Sequence, residues 1–330
     1  MKGLSDDAIQ QLDAAWRPQT VDSYAAKTND FATWCDSNNI DPKTASTAAV
    51  INWVVSLQPR IIPSSQMGYL NAVTSVRSQL GVVEDDQLLR TFRRSLRASG
   101  AIADGPREVP PLDRLFAELR RLGDAPPERR LEARAKALVL CKLASLARSF
   151  DMQHWLSASV RIDENCLRVT AERTKGRNKR HEYRIVRCIN VPSLCPVAAF
   201  ERYWALYNKD GMQPDKYVWC AIVKRKKGGY HSITADSIAR VVSDVIKSAG
   251  YEADELRPHG LRNAGASIAR RHGATLEAVK AHGGWRSWET MLQHYMHPGD
   301  FARQVAEAIY EDFPEEGAED EASSDEGIIG

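Results

Sequence analysis

Apolar residues recur at helical spacing through the first hundred residues of this 330-residue chain, with few of the alternating runs that mark strands. Prolines and a glycine interrupt this helical pattern, at Pro42, Pro59, Pro63 and Gly81. We therefore predict a helical domain over residues 1–104. Its aromatic side chains are expected to pack between the helices, and they are Trp16, Tyr24, Phe31 and Trp34.

A proline-rich stretch follows this domain. The segment from Asp104 to Leu112 contains three prolines and one glycine, which cannot sustain a helix. We predict a linker over residues 105–112, in keeping with the two domains expected for a chain of this length. The second domain is then predicted over residues 113–313. The acidic tail, residues 314–330, is predicted to be disordered.

One apolar run in the second domain ends on a charged residue. From Lys136 to Phe150, leucine and alanine recur at helical spacing, and Arg148 closes this helix three residues before Asp151. A guanidinium near the core needs partners, because an unpaired buried charge is strongly destabilising. We expect Asp151 to orient Arg148. An ion pair that only closes a core helix explains the same spacing equally well.

Residues 167–187 alternate between apolar and polar positions on both sides of a Lys175-Gly176 turn, as a β-hairpin does. The predicted fold is therefore mainly α with a small β-sheet, an α+β fold. Eight basic residues against two acidic ones make the hairpin strongly basic. It is either a solvated charged hairpin or a loop against a nucleic-acid backbone, with Lys175 or Lys179 delivering a proton. Its candidate phosphate contacts are Arg173, Arg177 and Lys179.

A second set of chemically active residues lies nearer the C-terminus. They are His259, Arg262, Trp285 and Tyr295, and a glycine pair precedes the tryptophan. His259 and Arg262 are three residues apart, a spacing that places two side chains on one face of a helix and lets both reach one oxygen. This spacing alone is weak evidence, because residues 181–184 repeat it within the basic hairpin. The combination with Arg148 upstream is more specific than its parts.

These side chains suit the cleavage of a phosphodiester. Negative charge develops on the phosphate, and the guanidinium groups of Arg148 and Arg262 stay protonated at any working pH to neutralise it. His259 and the Trp285 indole can each donate a hydrogen bond to a non-bridging oxygen. The indole can act only as a donor. A tyrosine hydroxyl has an unperturbed pKa of about 10, so Tyr295 needs nearby cations and a proton acceptor to act as a nucleophile. His259 is the expected acceptor.

The charge distribution favours a nucleic-acid partner. The chain has a formal net charge of only +2, but residues 311–330 hold nine acidic residues and no basic ones. Without that segment, 45 basic residues face 34 acidic ones, which leaves a net charge of +11. Two basic groups are candidate DNA contacts, namely the helix face of Arg90, Arg93, Arg94 and Arg97 and the run of Lys224, Arg225 and Lys226. Simple solvation explains either group, and the second could also be a nuclear localisation signal.

Cysteine usage gives no sign of a metal site or a secreted protein. None of the six cysteines lies in a Cys-x-x-Cys pair, the tight spacing that zinc sites use. Their scatter, in a chain with no signal peptide or long apolar span, predicts a reducing, intracellular compartment and no membrane association. Nucleotide-binding glycine loops are absent from the sequence as well. We expect neither a metal nor a cofactor.

The chain resembles the tyrosine recombinases, the phage-integrase type of site-specific DNA recombinase, because it holds their characteristic residues in order. They are Arg148, Lys175, His259, Arg262, Trp285 and Tyr295. The resemblance covers roughly residues 110–313 and, more loosely, the helical N-terminal part, a core DNA-binding domain in that family. It implies a catalytic domain that cleaves DNA through a 3′-phosphotyrosyl bond, with Lys175 protonating the leaving 5′-hydroxyl. The family's tyrosine usually follows the His or Trp by nine residues, and Tyr295 follows Trp285 by ten.

The resemblance also implies partners and a setting. The partner is double-stranded DNA, and the protein is expected to form a tetramer on paired sites through a terminal helix over residues 301–313. The opening stretch from Leu4 to Pro42 also resembles recombinases encoded by DIRS-type retrotransposons. That second resemblance implies a eukaryotic nucleus, while integration or excision of a mobile element is the function expected of the recombinase itself. A bacterial or viral origin remains open.

Two other functions fit the same residues. A type IB topoisomerase uses closely similar chemistry but relaxes DNA as a monomer with little sequence demand. A catalytically inactive DNA-binding protein would agree with the ten-residue interval before Tyr295. A tetramer on paired sites would argue against the topoisomerase, and a covalent product would argue against the inactive protein.

Overall fold

A computed structural model describes residues 18–100, 109–123, 129–172, 180–208, 216–222 and 230–295. The chain divides into two units, residues 1–105 and 106–330. Most of the predicted linker lies outside the described residues, so the domain limits given above stay predictions. Within the described ranges, no helix is long and apolar enough to cross a membrane.

Four helices form the described part of the first unit. They are α1 (Pro18–Ser37), α2 (Thr47–Ser56), α3 (Pro63–Gln79) and α4 (Asp86–Gly100). Ser46 caps α2 by accepting a hydrogen bond from the Ala49 N–H, and Pro63 occupies the first turn of α3. Phe31 packs against Trp53 in the core with ring centroids 5.1 Å apart. The prediction of a helical N-terminal part is confirmed for these residues.

A buried ion pair joins the loops of this first unit. The Arg77 Nε lies 2.6 Å from Glu84 Oε1, and both side chains are almost fully buried. Arg77 also donates to the Pro42 carbonyl at 2.6 Å, and Thr47 Oγ1 donates to Glu84 at 2.6 Å. Because both charges have further hydrogen-bond partners, their desolvation is compensated. The pair holds the start of α2 against the end of α3.

Helix α4 carries the predicted basic face. Leu89 and Leu96 point into the core, while three of the four arginines are exposed and Arg93 is half-buried. The exposed ones are Arg90, Arg94 and Arg97. Asp86 lies 3.5 Å from Arg90, an exposed pair that contributes little to stability. The face is therefore accessible, and its contact with DNA stays a prediction.

Helices surround a small antiparallel sheet in the second unit. The helices are α5 (Asp113–Arg121), α6 (Arg130–Ser145), α7 (Ser149–Gln153), α8 (Pro196–Asn208), α9 (Ala235–Ser248), α10 (Gly260–Arg271), α11 (Leu276–Gly283) and α12 (Trp288–Tyr295). The strands are β1 (Arg161–Ile162), β2 (Cys166–Ala171) and β3 (His181–Val186), in the order β1-β2-β3. The mainly α fold with a small sheet is confirmed, and so is the hairpin, since β2 and β3 pair from Cys166 with Val186 to Ala171 with His181.

Buried aromatic residues anchor α8 to the segment after the sheet. Tyr203 stacks on Trp219 with ring centroids 5.0 Å apart, and its hydroxyl donates to the Val218 carbonyl at 2.8 Å. The Cys220 N–H donates to the same hydroxyl at 3.0 Å. The buried phenol is thus satisfied as donor and acceptor, as buried polar groups generally are. This core supports the helices that carry the site.

The prediction that Arg148 closes the long apolar helix is wrong. Helix α6 ends at Ser145, and Leu146 adopts the left-handed conformation with φ of +54°. Arg148 is extended and precedes the first residue of α7. The apolar spacing continues past Ser145 because Leu146 and Ala147 are buried in the turn rather than in the helix. Burial of both residues offsets the roughly 1–2 kcal/mol that a left-handed non-glycine residue costs.

Candidate active site

Arg148 is oriented by a buried carboxylate. Asp151 is 1% exposed, and its Oδ2 lies 3.6 Å from Arg148 Nη1 and accepts the Arg148 backbone N–H at 3.2 Å. The Tyr183 hydroxyl donates to the same oxygen at 3.3 Å. Burial, and then the nearby Asp151 charge, raise the pKa of Tyr183, so its phenol remains a donor. Asp151 therefore aims a guanidinium that is itself about one-fifth exposed.

Arg262 links three parts of the site. Its side chain is fully buried, and its guanidinium donates to the carbonyl of Leu146 and, from Nη2 at 2.9 Å, to the carbonyl of Gly283. The guanidinium carbon also lies 3.7 Å from the centroid of the Trp285 ring. A planar fork can satisfy two carbonyls and stack on an indole at once, which an ammonium cannot do. Arg262 thus ties helix α10 to the turn before Arg148 and to the turn before Trp285.

The glycine pair before Trp285 makes room for the indole. A Cβ added at Gly283 would lie 1.9 Å from the Trp285 ring, a distance that no side chain could occupy. Gly284 has φ of +67°, the left-handed conformation that glycine adopts at low cost and that ends helix α11. Trp285 is consequently folded back onto α11 and is 4% exposed. This close packing fixes the plane on which Arg262 stacks.

Substitution of Gly283 by alanine is expected to displace the Trp285 ring. Overpacking of this kind destabilises by about 1–3 kcal/mol, and the displaced indole would also lose its place on Arg262. The midpoint of thermal unfolding should fall, and so should the yield of the covalent DNA adduct that the resemblance to tyrosine recombinases implies. Gly68→Ala is the control, because its added Cβ would meet nothing within 4 Å and alanine suits a helix. Equal stability and adduct yield in the two variants would contradict this role for Gly283.

His259 lies directly before helix α10. Its carbonyl accepts the Arg262 backbone N–H at 3.2 Å, so the two residues share the first turn of the helix. The residue is exposed, whereas Arg262 is fully buried. The two side chains thus lie at different depths. Their convergence on one phosphate oxygen stays a prediction.

Tyr295 is the last residue of helix α12, which begins at Trp288. Ser287 caps this helix by accepting the Thr290 N–H at 3.2 Å. Met291 packs with Trp285 and Leu146 in a small apolar cluster that is separate from the main core. The helix that ends in Tyr295 is therefore packed on the indole and on the turn before Arg148. Arg286 and Ser287 separate Trp285 from the first residue of this helix.

Two residues near the site were missed at the level of sequence. His181, dismissed as part of a chance spacing, begins strand β3, and its ring atoms lie 3.3–3.6 Å from the position of a Gly284 Cβ. Its ring also lies edge-on to Tyr183, with centroids 4.5 Å apart. The second residue is Lys142, a lysine within an apolar helix, which is 1% exposed. A charge inside an apolar run was the available signal for Lys142, and the His-x-x-Arg spacing of residues 181–184 was the available signal for His181.

Several predicted site residues lie outside the described residues. They are Arg173, Lys175, Arg177 and Lys179 of the predicted hairpin turn, Lys224, Arg225 and Lys226 of the second basic run, the segment 301–313 and the tail 314–330. Described elements flank the two basic segments. Ala171 pairs with His181 on either side of the first, and Cys220 pairs with Ser232 on either side of the second. Of the six predicted catalytic residues, the structure therefore brings together Arg148, Arg262 and Trp285.

Solved recombinase structures share this fold. A post-cleavage complex of the XerH site-specific recombinase with a palindromic difH substrate is 14% identical, with a TM-score of 0.64 over 88% of this chain and 80% of that chain. The XerH pre-cleavage complex is 12% identical, with a TM-score of 0.63 over 94% and 86%. A lambda integrase dimer bound to a COC′ core site is 14% identical, with a TM-score of 0.55 over 89% and 94%.

Sequence comparison identifies the family. No curated protein gives a significant match to the sequence. The finer resemblance to DIRS-type recombinases stays a prediction. The model of the phage integrase family matches residues 115–300, which is more than half of the chain and includes the elements that carry Arg148, Arg262, Trp285 and Tyr295. The protein therefore belongs to the phage integrase family of DNA strand-breaking and rejoining enzymes.

Proposed function

We propose that this protein is a site-specific recombinase that cleaves and rejoins DNA through a 3′-phosphotyrosyl intermediate on Tyr295, to integrate or excise a mobile element. The observation that carries the proposal is the position of the Arg262 guanidinium, bonded to the carbonyls of Leu146 and Gly283 and stacked on Trp285. Residues far apart in the sequence are held as one unit by this cation. Arg148, two residues after Leu146, is the partly exposed cation of that unit.

The two guanidinium groups would stabilise the charge that develops on the scissile phosphate. Part of the Arg148 side chain is exposed and would contact a phosphate oxygen directly. Asp151 would hold the orientation of that side chain. Arg262 is fully buried and would act through its charge as well as through the carbonyls that it positions. The Trp285 indole and His259 would supply further hydrogen bonds to the non-bridging oxygens.

The proposed reaction balances without metal, cofactor or ATP. The Tyr295 oxygen forms a bond to phosphorus, the bond from phosphorus to the 5′-oxygen breaks, and one DNA strand leaves with a free 5′-hydroxyl. His259 accepts the tyrosine proton, and Lys175 gives a proton to the leaving oxygen. Because the phosphotyrosyl link conserves the diester bond, a second 5′-hydroxyl can attack it and restore the DNA strand.

Double-stranded DNA is the proposed partner. The exposed arginines of α4, the basic hairpin turn and the run at residues 224–226 would neutralise backbone phosphates, in keeping with the net charge of +11 outside the acidic C-terminal segment. Such a protein acts where the DNA is, inside the cell, and in the nucleus of a eukaryotic host. An apolar stripe over residues 301–313 supports self-association as a tetramer on paired sites, with Phe301, Val305, Ala308, Ile309 and Phe313 as its members.

Covalent trapping tests the proposal. The purified protein would be incubated with fragmented DNA of the source element and denatured in detergent. The attached DNA would be sequenced, and the modified peptide identified by mass spectrometry. The expected result is an adduct on Tyr295 at one recurring DNA sequence. DNA attached at scattered sequences, together with relaxation of supercoiled plasmid by a monomer, would indicate topoisomerase activity instead.

The ten-residue interval between Trp285 and Tyr295 favours a second candidate, a DNA-binding protein without cleavage activity. This candidate predicts sequence-specific binding that depends on the α4 arginines and gives no covalent product. Tight binding in a gel-shift assay, with no attached DNA after denaturation, would support it and reject the recombinase.

A further inference from the structure

Lys142 is a buried lysine that bonds to both sequence neighbours of Arg148. It lies in the last turn of α6 and is 1% exposed. Its ammonium donates to the carbonyl of Ala147 at 3.1 Å and lies 3.1 Å from the hydroxyl of Ser149. These two residues flank Arg148 in the sequence. One buried lysine therefore hydrogen-bonds to the backbone on one side of Arg148 and to a side chain on the other.

Other hydrogen bonds hold the same turn. Leu146 is in the left-handed conformation, and its carbonyl accepts from Arg262. The Ala147 N–H donates to Ser145 Oγ at 3.2 Å. Two buried basic side chains thus donate to consecutive carbonyls of the turn. Arg262 donates to the carbonyl of Leu146, and Lys142 donates to the carbonyl of Ala147. Without Lys142, the Ala147 carbonyl would lose this partner in a buried position, which costs free energy.

Charged and titratable groups lie near Lys142 on several neighbouring elements. Burial lowers the pKa of Lys142 to about 7; Asp151 of α7 opposes this shift, and Arg262 of α10 and Arg148 add to it. Tyr183 of β3 donates to Asp151 from the other side. His282 of α11 lies at the same end of α6, with Nε2 2.7 Å from the Ala144 carbonyl. Arg148, Arg262 and Asp151 all lie close enough to influence the charge of Lys142, and an added anion would favour its charged form.

We propose that Lys142 is a positioning residue for Arg148 and a buried cation that strengthens anion binding at the Arg148–Arg262 site. This inference rests on the proposed function, in which the anion is the scissile phosphate. Lys142 does not touch the phosphate. It acts by holding Ala147 and Ser149 on both sides of Arg148 and by adding its charge to those of Arg148 and Arg262.

The pH dependence follows from the two protonation states. Below pH 7 the ammonium is charged and attracts the anion, and above pH 7 it becomes neutral and keeps only its hydrogen bonds. A bound anion favours the charged form, so binding takes up a proton and weakens as the pH rises from about 7 towards 9. A methionine at position 142 has a similar length and no charge. The advantage of the wild type over Lys142→Met should therefore be largest at low pH.

The test compares wild type, Lys142→Met and Lys136→Met between pH 6 and pH 9. Lys136 is the matched control, a 3% exposed lysine of the same helix that donates to the Gly123 carbonyl at 2.9 Å. At subsaturating DNA, the initial rate of covalent adduct formation should be about tenfold lower in Lys142→Met at pH 6, as expected for one charge acting over several ångströms. At pH 9 the difference should shrink to about threefold or less. Lys136→Met reports the pH dependence that the other titrating groups of the protein cause.

Inorganic sulfate provides a second probe that does not depend on cleavage. Sulfate carries the same charge from pH 6 to pH 9, and its binding can be followed by its effect on thermal unfolding at constant ionic strength. Wild type should bind sulfate less tightly as the pH rises, and Lys142→Met should bind it weakly at every pH. Lys136→Met should bind sulfate as the wild type does at each pH. It is the control for effects of sulfate on stability that do not depend on Lys142.

Each outcome separates the inference from the proposed function. If the ratio of adduct rates between wild type and Lys142→Met does not change with pH, Lys142 contributes only packing, and the inference is overturned. Equal rates in wild type and Lys142→Met would overturn it as well, while the proposed function stands. Absence of any adduct, combined with pH-dependent sulfate binding that Lys142→Met lacks, would reject the proposed function and support Lys142 as an anion-binding cation.

Stability provides an independent check of the buried charge. The folded pKa of about 7 lies below the 10.5 of an unperturbed lysine, so the unfolded chain binds more protons between these two values. The wild type should therefore gain stability relative to Lys142→Met as the pH rises from 7 to 10, and the thermal midpoints of the two proteins measured across that range will show it. A constant difference between the two midpoints would mean that Lys142 keeps its proton in the folded protein across this pH range, and it would overturn the expected pH dependence.

Discussion

Replacing Tyr295 with phenylalanine is expected to abolish covalent attachment of DNA while leaving DNA binding within about twofold of the wild type. The substitution removes only the hydroxyl oxygen that would attack phosphorus, and it preserves the ring. Loss of a nucleophile that forms a covalent intermediate should lower the rate of adduct formation by at least about a thousandfold. Denaturing gels with labelled DNA would measure the adduct, and fluorescence anisotropy would measure binding.

Tyr310→Phe is the matched control, because Tyr310 is the next tyrosine in the chain. It should form adducts at the wild-type rate. The opposite pattern, with adducts retained in Tyr295→Phe and lost in Tyr310→Phe, would move the nucleophile downstream. Loss of binding in Tyr295→Phe would mean that the phenol is needed for the fold and not only for the chemistry.

The second large effect is expected from Arg262→Lys. Lysine keeps the positive charge but cannot bond the carbonyls of Leu146 and Gly283 while stacking on Trp285, because it lacks the planar fork. Arg148 and the indole should then lose their common support. We expect adduct formation to fall by about 100-fold or more, the range found when a preorganised donor is removed from a reaction centre. Trapping kinetics at saturating DNA would measure it.

Arg270→Lys controls for the loss of a buried arginine from the same helix. Arg270 is 7% exposed and donates to the carbonyl of Ala274, at the far end of α10. This variant should retain adduct formation within a few-fold of the wild type, and both variants should bind DNA. If Arg270→Lys impairs cleavage as much as Arg262→Lys, the effect comes from a loosened helix α10 and not from the arginine that joins the two turns.

Helix α6 illustrates why the sequence-based account of the site was incomplete. Apolar periodicity predicted a helix up to Arg148, because burial continues through Leu146 and Ala147. The helix instead ends at Ser145, since the Leu146 and Ala147 carbonyls bond Arg262 and Lys142 rather than residues further along a helix. Arg262 is 116 residues away from Leu146 in the sequence. Such a partner cannot be found from local spacing.

Local chemistry and its order along the chain were determined by the sequence alone. Periodicity predicts the helical first unit, and alternation around turn residues predicts the β2–β3 hairpin, because both depend on neighbours within a few residues. The family follows from residue type and order, in the succession of Arg148, His259, Arg262 and Trp285. Tertiary structure decided which of these groups meet, how deeply each is buried and which others join them. Lys142 and His181 gain their positions beside Arg148 and Gly284 from the packing of α6, β3 and α11, since contact between distant segments arises only when those elements fold against one another.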